Sequence, residues 1–360
     1  RCHDHKFDPL SQREFYQAYA YFNNIPEFGR ALKEGNSPPF IKAPTEHQQH
    51  RLRVLDEQLH QAEKRWNNLQ EQLTKAQSSW EKQFSSDELH WFPSSDLIAH
   101  YPLDGDLDIQ VYPPTSIPQD QVPEFADGVI EKAAKYDGHG TEVTKDLANF
   151  GYFDKFSFSF WMKPAKSTGT ILSKMKDTAR ADGYAVRLEN GHLQVNLVKR
   201  WLDDAIRVET AEALPLEQWQ HIAITYDGSR VAKGIRVYVD GKPVKMTVHL
   251  DLINQSFATE EPFRIAQGGG AGSGFHGLLD DLRIFDDCLS PETVTLLSVK
   301  DPITEILALP KDNRSPGQKQ KLRIYYLEHH APKVLQTAWK HRNQLLGQRA
   351  DWIESFPTVM

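Results

Sequence analysis

The sequence predicts a mostly β protein with helices, in which an antiparallel β-sandwich is inserted into a two-helix antiparallel coiled-coil stalk. Three observations predict this fold class. Residues 45–92 carry a heptad pattern of apolar side chains, residues 97–298 carry short runs with a period of two, and residues 301–360 return to a helical period. Heptads are typical of a coiled-coil helix, whereas alternation is typical of a half-buried strand.

The helix predicted over residues 45–92 has the clearest periodic signal. Its apolar positions alternate in steps of three and four: Leu52, Leu55, Leu59, Ala62, Trp66, Leu69, Leu73, Ala76 and Trp80. Such a seam needs a partner. We pair it with the helix of residues 301–360, within one chain or between two chains. A stalk of this kind would hold the β domain away from its base.

The returning helix has a weaker seam, and the β domain has regular alternation. The stripe of the returning helix is Leu335, Ala338, Leu345, Trp352 and Phe356. In the β domain, Phe156, Phe158 and Phe160 alternate with serines, and further short runs are separated by Y-D-G, E-N-G and V-D-G turns. Short alternating strands at close spacing predict an antiparallel sandwich.

Composition excludes several classes of function. The chain has 360 residues, of which 39% are hydrophobic and 25% charged, and its formal net charge is -7. No bulk charge attraction to nucleic acid is expected from this balance. No stretch approaches the roughly 18 apolar residues that a membrane span needs. Because the first residue is Arg1, we interpret the sequence as a fragment whose natural start lies upstream.

Several motifs of the β domain occur in a familiar order. They are Y-P-L-D-G, A-K-Y-D-G, F-S-F-S-F-W-M-K-P, E-Q-W-Q-H-I-A-I-T-Y-D-G and G-L-L-D-D-L-R-I-F-D-D. In this order they resemble the laminin-G-like, concanavalin-A-like jelly rolls over residues 97–298. The resemblance implies a jelly-roll fold and a non-catalytic lectin-like module that binds a carbohydrate or another surface ligand. A structural spacer or protein-interaction module with no small ligand is the alternative, because one fold serves many functions.

The resemblance also suggests ligand-binding residues. Some relatives place Ca²⁺, which takes oxygen ligands, near the ligand, and the candidates here are Asp104, Asp137 and Asp281. Asp104 and Asp137 equally suit D-G turns, where Asp bonds the local backbone. Trp201 follows a polar strand and precedes acidic residues. It is therefore the aromatic side chain that we interpret as a sugar platform.

Two other tryptophans and two glutamates receive less specific interpretations. Trp161 and Trp219 lie in strand motifs and are expected in the core. A retaining glycosidase needs two carboxylates about 5–5.5 Å apart, but no strand carries an E-x-D-x-E array, and Glu209 and Glu217 stand alone. Glycoside hydrolysis is therefore the less favoured alternative, and the fragment is predicted not to be an enzyme. A redox activity of its longer parent is left open.

The two ends of the chain carry a second resemblance. The opening R-C-H-D-H-K-F-D-P, with S-Q-R-E-F-Y and F-N-N-I-P-E after it, resembles the end of a cytochrome-c-like domain of unknown function in exported planctomycete proteins. The closing L-R-I-Y-Y-L-E-H-H-A-P and E-S-F-P-T-V-M resemble the linker into a second uncharacterised domain of those proteins. The resemblance implies that residues 1–44 are the tail of the first domain and that residues 301–360 are a returning linker. It also implies export to the periplasm or the cell surface.

The opening motif implies a haem in the full-length parent. In a c-type site two Cys thiols bond the porphyrin and the adjoining His ligates iron. The resemblance makes Cys2 the second thioether and His3 the axial ligand, with the first Cys upstream of Arg1. His5 and Asp8 are left open. They could orient the haem ligand, form a separate metal site of imidazole and carboxylate, or serve as a helix cap and a turn.

Overall fold

The computed structural model describes residues 11–22, 41–85, 89–114, 117–270 and 273–359. Cys2, His3, His5 and Asp8 lie outside the described residues. The haem and metal interpretations of these four side chains therefore stay predictions.

The described helices lie at the two ends of the chain and the strands lie mostly between them. The helices are α1 Gln12–Phe22, α2 Glu46–Asn68, α3 Gln70–Gln83, α4 Pro291–Leu297, α5 Ile303–Ala308, α6 Pro316–His329 and α7 Lys333–Glu354. The strands are β1 Ile41–Lys42, β2 Leu97–Tyr101, β3 Glu124–Asp127, β4 Lys132–Asp137, β5 Thr141–Glu142, β6 Phe156–Pro164, β7 Gly169–Met175, β8 Gly183–Glu189, β9 His192–Arg200, β10 Asp204–Thr210, β11 Gln220–Tyr226, β12 Ile235–Val239, β13 Lys242–Pro243, β14 Met246–Asp251, β15 Phe263–Ile265, β16 His276–Phe285 and β17 Thr358–Val359.

Two antiparallel sheets form the sandwich. The seven-stranded sheet has the order β14-β10-β9-β8-β7-β15-β5. The eight-stranded sheet has the order β13-β12-β11-β6-β16-β4-β3, and β2 pairs with β16. This arrangement confirms the predicted antiparallel β-sandwich with accompanying helices.

The alternation on β6 explains where the core lies. Phe156, Phe158 and Phe160 are each 1% exposed and point between the sheets, because successive side chains of a strand face opposite ways. Phe156 stacks on Phe150 with ring centres 4.6 Å apart. Burial of each such aromatic side chain contributes roughly 1.5–3 kcal/mol, so the alternation determines which face of β6 is covered.

Helices α2 and α7 pack antiparallel within one chain. The indole nitrogen of Trp352 donates to the carbonyl of Gln48 at 3.1 Å, and Arg349 Nε donates to Asp56 Oδ1 at 2.6 Å. Residue numbers therefore rise along one helix as they fall along the other. Apolar side chains from both helices fill the space between them, namely Leu55, Leu59, Ala62, Leu345 and Trp352.

The stalk is not one uninterrupted pair of helices. On one side α2 ends at Asn68 and α3 begins at Gln70, and the amide of Leu69 bonds the carbonyl of Trp66 at 3.1 Å. On the other side Pro332 separates α6 from α7, because proline lacks an amide donor and cannot continue a helix. Apolar side chains that flank the two breaks pack together in one cluster, which contains Leu69, Leu73, Tyr326, Leu327, Ala331 and Leu335.

These breaks overturn the expectation that the stalk holds the β domain away from its base. Lys155, which lies just before β6, places its Nζ 2.7 Å from Oε2 of Glu354 at the end of α7. Asp287 lies 3.7 Å from the same Nζ. The far end of the α2–α7 pair therefore contacts the sandwich, because the helices turn at Leu69 and Pro332 instead of running straight.

Candidate ligand-binding site

The outer face of the seven-stranded sheet carries a group of polar side chains. On β9 and β10 the side chains that enter the core are Leu193, Val195, Leu197, Ile206 and Val208. The residues between them face away from the core, because side chains alternate along a strand. Gln194, Asn196, Arg207 and Glu209 therefore lie on the outer face.

Strand register brings these side chains into two rows. Arg207 is opposite Asn196, and Glu209 is opposite Gln194, which in turn is opposite Arg187 of β8. Directly opposed residues in an antiparallel pair have Cβ atoms about 4.5–5.5 Å apart. Three consecutive strands thus contribute to one polar surface.

Trp201 lies at one end of this surface, in the turn between β9 and β10. Its side chain is half-buried. The guanidinium carbon of Arg207 lies 4.4 Å from the ring centre, and that of Arg180 lies 5.8 Å from it. Cations within about 6 Å of an aromatic ring centre are attracted by its electron-rich face. The sugar platform predicted at Trp201 is thereby held beside two positive charges.

Three donors of this surface have no hydrogen-bond partner among the described residues. They are the side-chain amide nitrogen of Asn196 and the Nε atoms of Arg187 and Arg207. Asn196 is only 4% exposed. Most buried polar atoms in native proteins are paired, so an unpaired group marks a place where a ligand or an ordered water completes the bonding. Three on one face, beside a half-buried aromatic ring and two arginines, make this a candidate site.

The charges of the site differ in how they are compensated. Burial, and after it the nearby charge of Arg180, lowers the pKa of Arg207. Burial also raises the pKa of Glu209, but hydrogen bonds from Gln194 and His249 outweigh it and hold this pKa below its usual range. Gln194 Nε2 donates to Glu209 at 2.9 Å, and His249 Nε2 lies 3.0 Å from its other oxygen. The carboxylate is therefore fully engaged.

Two of the predicted calcium ligands lie together on the other side of the sandwich. Asp281 bonds His100 at 2.8 Å and pairs with Arg283. Asp104 accepts from the amide of Lys132 at 3.0 Å. Burial raises the pKa of Asp104, and the charge of Asp281 adds to this effect. Both carboxylates thus have protein partners.

Asp137 lies apart from the other two. It is five residues along β4 from Lys132, a separation of about 17 Å at the usual rise of a strand. Its Oδ1 accepts from the amide of His139 and contacts the ring of the same residue, and its side chain lines a cleft of about 340 Å³. No group of three or more His, Cys, Asp or Glu within the described ranges could hold a metal ion. The calcium site stays a prediction.

Asp280 is fully buried on the eight-stranded sheet, and no sequence motif singles it out. Its Oδ2 accepts from the amides of Val129 and Ile130 at 2.7 and 2.9 Å. Burial raises the pKa of Asp280 to about 7.

Trp161 is the cross-strand neighbour of Asp280 and is 8% exposed, as expected. Trp219 is half-buried immediately before β11, so its expected place in the core is wrong.

The arginines and Asn196 were also missed by sequence reasoning. No short motif links them, because Arg180, Asn196 and Arg207 come from a loop and two strands. A weaker signal was present. On β9 and β10 polar residues alternate with Leu, Val and Ile, which would have assigned Asn196 and Arg207 to one exposed face of neighbouring strands.

The class that this architecture defines is a concanavalin-A-like β-sandwich attached to a bent pair of helices. Residues 137–295 match the family model described as the concanavalin A-like lectin/glucanases superfamily, which confirms the predicted jelly-roll fold. Residues 1–27 match a second model, described as a protein of unknown function (DUF1549). This match falls on the opening motif, and a haem there stays a prediction.

Solved structures similar to this chain share limited identity with it. The binding domain of Paraclostridial Mosquitocidal Protein 1 is 17% identical, with 57% of this chain and 52% of that chain covered and a TM-score of 0.45. The Botulinum neurotoxin serotype G binding domain is 18% identical, with 56% and 50% covered and a TM-score of 0.41. The matched part of this chain thus spans about half the length of these toxin domains.

A third similar structure is Domain 4 of AbnA, a GH43 extracellular arabinanase from Geobacillus stearothermophilus, in complex with arabinotriose. It is 24% identical, with 57% of this chain and 98% of that chain covered and a TM-score of 0.39. The comparison with curated proteins gave no match. Among the described helices, none combines the length and the apolar content that crossing a bilayer requires.

Proposed function

We propose that the β-sandwich is a non-catalytic module that binds a saccharide on the outer face of the seven-stranded sheet. The observation that carries the proposal is the half-buried ring of Trp201 beside the unpartnered amide of Asn196 and the unpartnered Nε of Arg207. An aromatic ring offers a flat apolar surface to a sugar ring, while a few convergent donors orient its oxygen atoms. Both kinds of group lie close together here, on one face of the sheet.

The resemblance of the chain ends supports a location for this module. That resemblance implies export, and we propose the periplasm or the cell surface, where extended saccharides occur. The competing proposal is a spacer or protein-interaction module with no small ligand. The two differ in one respect that can be measured, because only the first requires Trp201 to contact a saccharide.

A glycan array probed with the 360-residue chain tests the proposal. We expect binding of at least one class of saccharide, and a loss of about thirtyfold or more in affinity for Trp201→Ala, as for the removal of a central aromatic contact. Trp219→Ala is the matched control, since that residue is also half-buried but lies immediately before β11 of the other sheet. Binding of no saccharide would support the spacer, and equal binding by Trp201→Ala would overturn the assignment of the saccharide to this face.

The same array tests the predicted calcium site when it is run with CaCl₂ and with EDTA. Loss of binding in EDTA, restored by calcium, would support a role for Asp104, Asp137 or Asp281. Identical binding in both buffers would show that the saccharide site does not depend on calcium. Neither outcome alters the comparison of Trp201→Ala with Trp219→Ala.

A further inference from the structure

We infer that the saccharide bound on this face is acidic, and that a uronate carboxylate is the group recognised by Arg180 and Arg207. The inference rests on the proposed function and names the class of its ligand. It comes from the charge of the site and from the absence of a partner for that charge among the described residues.

The two arginines beside Trp201 have no counterion among the described residues. Neither Arg180 nor Arg207 forms an ion pair or a side-chain hydrogen bond with any described residue, although both guanidinium groups lie within 6 Å of the Trp201 ring centre. Two uncompensated like charges repel each other, and bringing an anion between them removes that repulsion. A neutral saccharide would leave both charges unneutralised.

The acidic residues nearby are paired with other cations. Asp203 pairs with Arg200 at 3.1 Å, and Asp182 lies 3.5 and 3.8 Å from the amino groups of Lys176 and Lys199. These carboxylates therefore neutralise other cations. Negatively charged side chains are therefore present around the site, but none of them pairs with Arg180 or Arg207.

The unpartnered polar groups of the site are hydrogen-bond donors. The unpartnered groups at Asn196 and Arg207 are donors, whereas the carboxylates of the face are already engaged. Glu209 accepts from Gln194 and His249, and Glu189 pairs with Arg187. Sugar hydroxyls both donate and accept, whereas a carboxylate only accepts. The planar guanidinium matches a carboxylate in a two-point contact. A surface of free donors therefore fits a uronate better than a neutral sugar.

The overall charge of the chain makes the test selective. The formal net charge is -7, so the protein as a whole repels a polyanion, and the repulsion acts over about 10 Å at moderate salt. Binding of an acidic saccharide would then need a local positive site and could not come from bulk attraction.

Isothermal titration calorimetry with matched saccharides tests the inference on the full chain. The probes are oligogalacturonate, oligoguluronate and the methyl ester of oligogalacturonate, which keeps the sugar and removes the charge. A sulfated dextran separates carboxylate from sulfate recognition. We expect at least one uronate to bind about tenfold or more tightly than its uncharged ester, as is typical when a charged hydrogen bond is lost.

Variants identify the residues responsible. Arg180→Gln should reduce the uronate affinity about tenfold and leave the affinity for the ester within about twofold, because Arg180 contributes only its charge. Arg207→Gln should reduce both affinities, and that for the uronate by the larger factor, because Arg207 also supplies a donor to the saccharide. Arg236→Gln is the control, because Arg236 is exposed on β12 of the other sheet and the charge change is the same. Melting temperatures and circular dichroism of each variant establish that it is folded.

The outcomes separate this inference from the proposed function. Equal binding of the ester and the uronate, with loss on Trp201→Ala, would overturn the acidic assignment and leave saccharide binding standing. Binding of the sulfated dextran but of no uronate would overturn the carboxylate assignment. Binding of no saccharide on the array would overturn both.

Discussion

Lys155 Nζ lies 2.7 Å from Glu354 Oε2, although the two residues are separated by most of the sandwich and all of the returning helices. The side chains are 30% and 50% exposed. Exposed ion pairs of this kind contribute about 0–1 kcal/mol. The contact therefore holds the end of α7 against the sandwich only weakly, and reversing one charge should release it.

We expect Lys155→Glu to increase the radius of gyration measured by small-angle X-ray scattering, because repulsion from Glu354 replaces attraction. The double variant Lys155→Glu with Glu354→Lys should restore the original value. Lys233→Glu, at an exposed position in the turn before β12, is the control for the charge change alone. An unchanged radius in the single variant would mean that the packing at Leu69 and Pro332 holds the bend by itself.

Asp280 should make stability depend on pH. Burial raises its pKa from 3.8 to about 7 in the folded protein, so between these values the folded state holds a proton that the unfolded state has lost. Its contribution is complete below the unfolded pKa and is lost as the pH rises through about 7. This one group should therefore lower the free energy of unfolding from about pH 4 to 7 by an amount on the order of a few kcal/mol. His221, whose pKa burial lowers from 6.5 to about 3, contributes the opposite trend between those two values.

Urea unfolding of Asp280→Asn at a series of pH values checks this expectation. The amide oxygen still accepts from Val129 and Ile130 but no longer titrates, so the free energy of unfolding of the variant, relative to that of the wild type, should rise from pH 4 to 7. Asp127→Asn is the control, since that side chain is exposed and paired with Lys132. The burial of Lys321 lowers its pKa to about 7, so that this group changes stability only above neutrality. The opposing contribution of His221 is common to both proteins and cancels in the difference. Equal slopes for wild type and Asp280→Asn would contradict the assignment.

Substitution of Leu73, beside the break between α2 and α3, should strongly lower the free energy of unfolding. It is 0% exposed and packs in the cluster of Tyr326, Leu327 and Leu335. Leu73→Ala should lower the free energy of unfolding by about 2–5 kcal/mol, through lost burial and the cavity that remains. Leu346→Ala, at a position that is 36% exposed on α7, should cost less than about 1 kcal/mol. Equal effects in chemical unfolding followed by circular dichroism would place the support of the stalk elsewhere.

Asn196 and Gln194 offer a matched test of the unpartnered amide. They lie two residues apart on the same face of β9, but only Gln194 donates to a described residue, Glu209. Asn196→Leu removes an unsatisfied donor and should raise the free energy of unfolding by up to about 1 kcal/mol. Gln194→Leu leaves Glu209 short of a donor and should lower it by about 1 kcal/mol.

The two variants should also differ in binding. Asn196→Leu should lose affinity for the saccharide while the protein becomes no less stable, a combination expected when a site keeps a polar group for its ligand. Measurement of melting temperature and affinity on the same samples checks this. A less stable Asn196→Leu with unchanged affinity would mean that ordered water, and not a ligand, satisfies the amide.

Much of the fold could be predicted from local patterns, but only part of the site could. Trp201 was singled out from its neighbours in sequence, and the structure places it beside the polar face. Arg180 and Arg207 were not, because a loop residue and a strand residue come together only when β9 and β10 pair in one register. The same reason applies to the predicted calcium ligands. Asp104 and Asp137 both lie in D-G turns, but Asp104 is close to Asp281 in the fold and Asp137 is not.

The sequence by itself determined the elements. The alternation at Phe156, Phe158 and Phe160 requires a strand with one buried face, and the heptads require helices with an apolar seam, because burial of apolar area acts on each period locally. Tertiary structure decided the bend at Leu69 and the contact of Lys155 with Glu354. It also decided the meeting of Arg207, Asn196 and Trp201, since these depend on pairing between distant segments, where register and packing select one arrangement among many that satisfy the same local pattern.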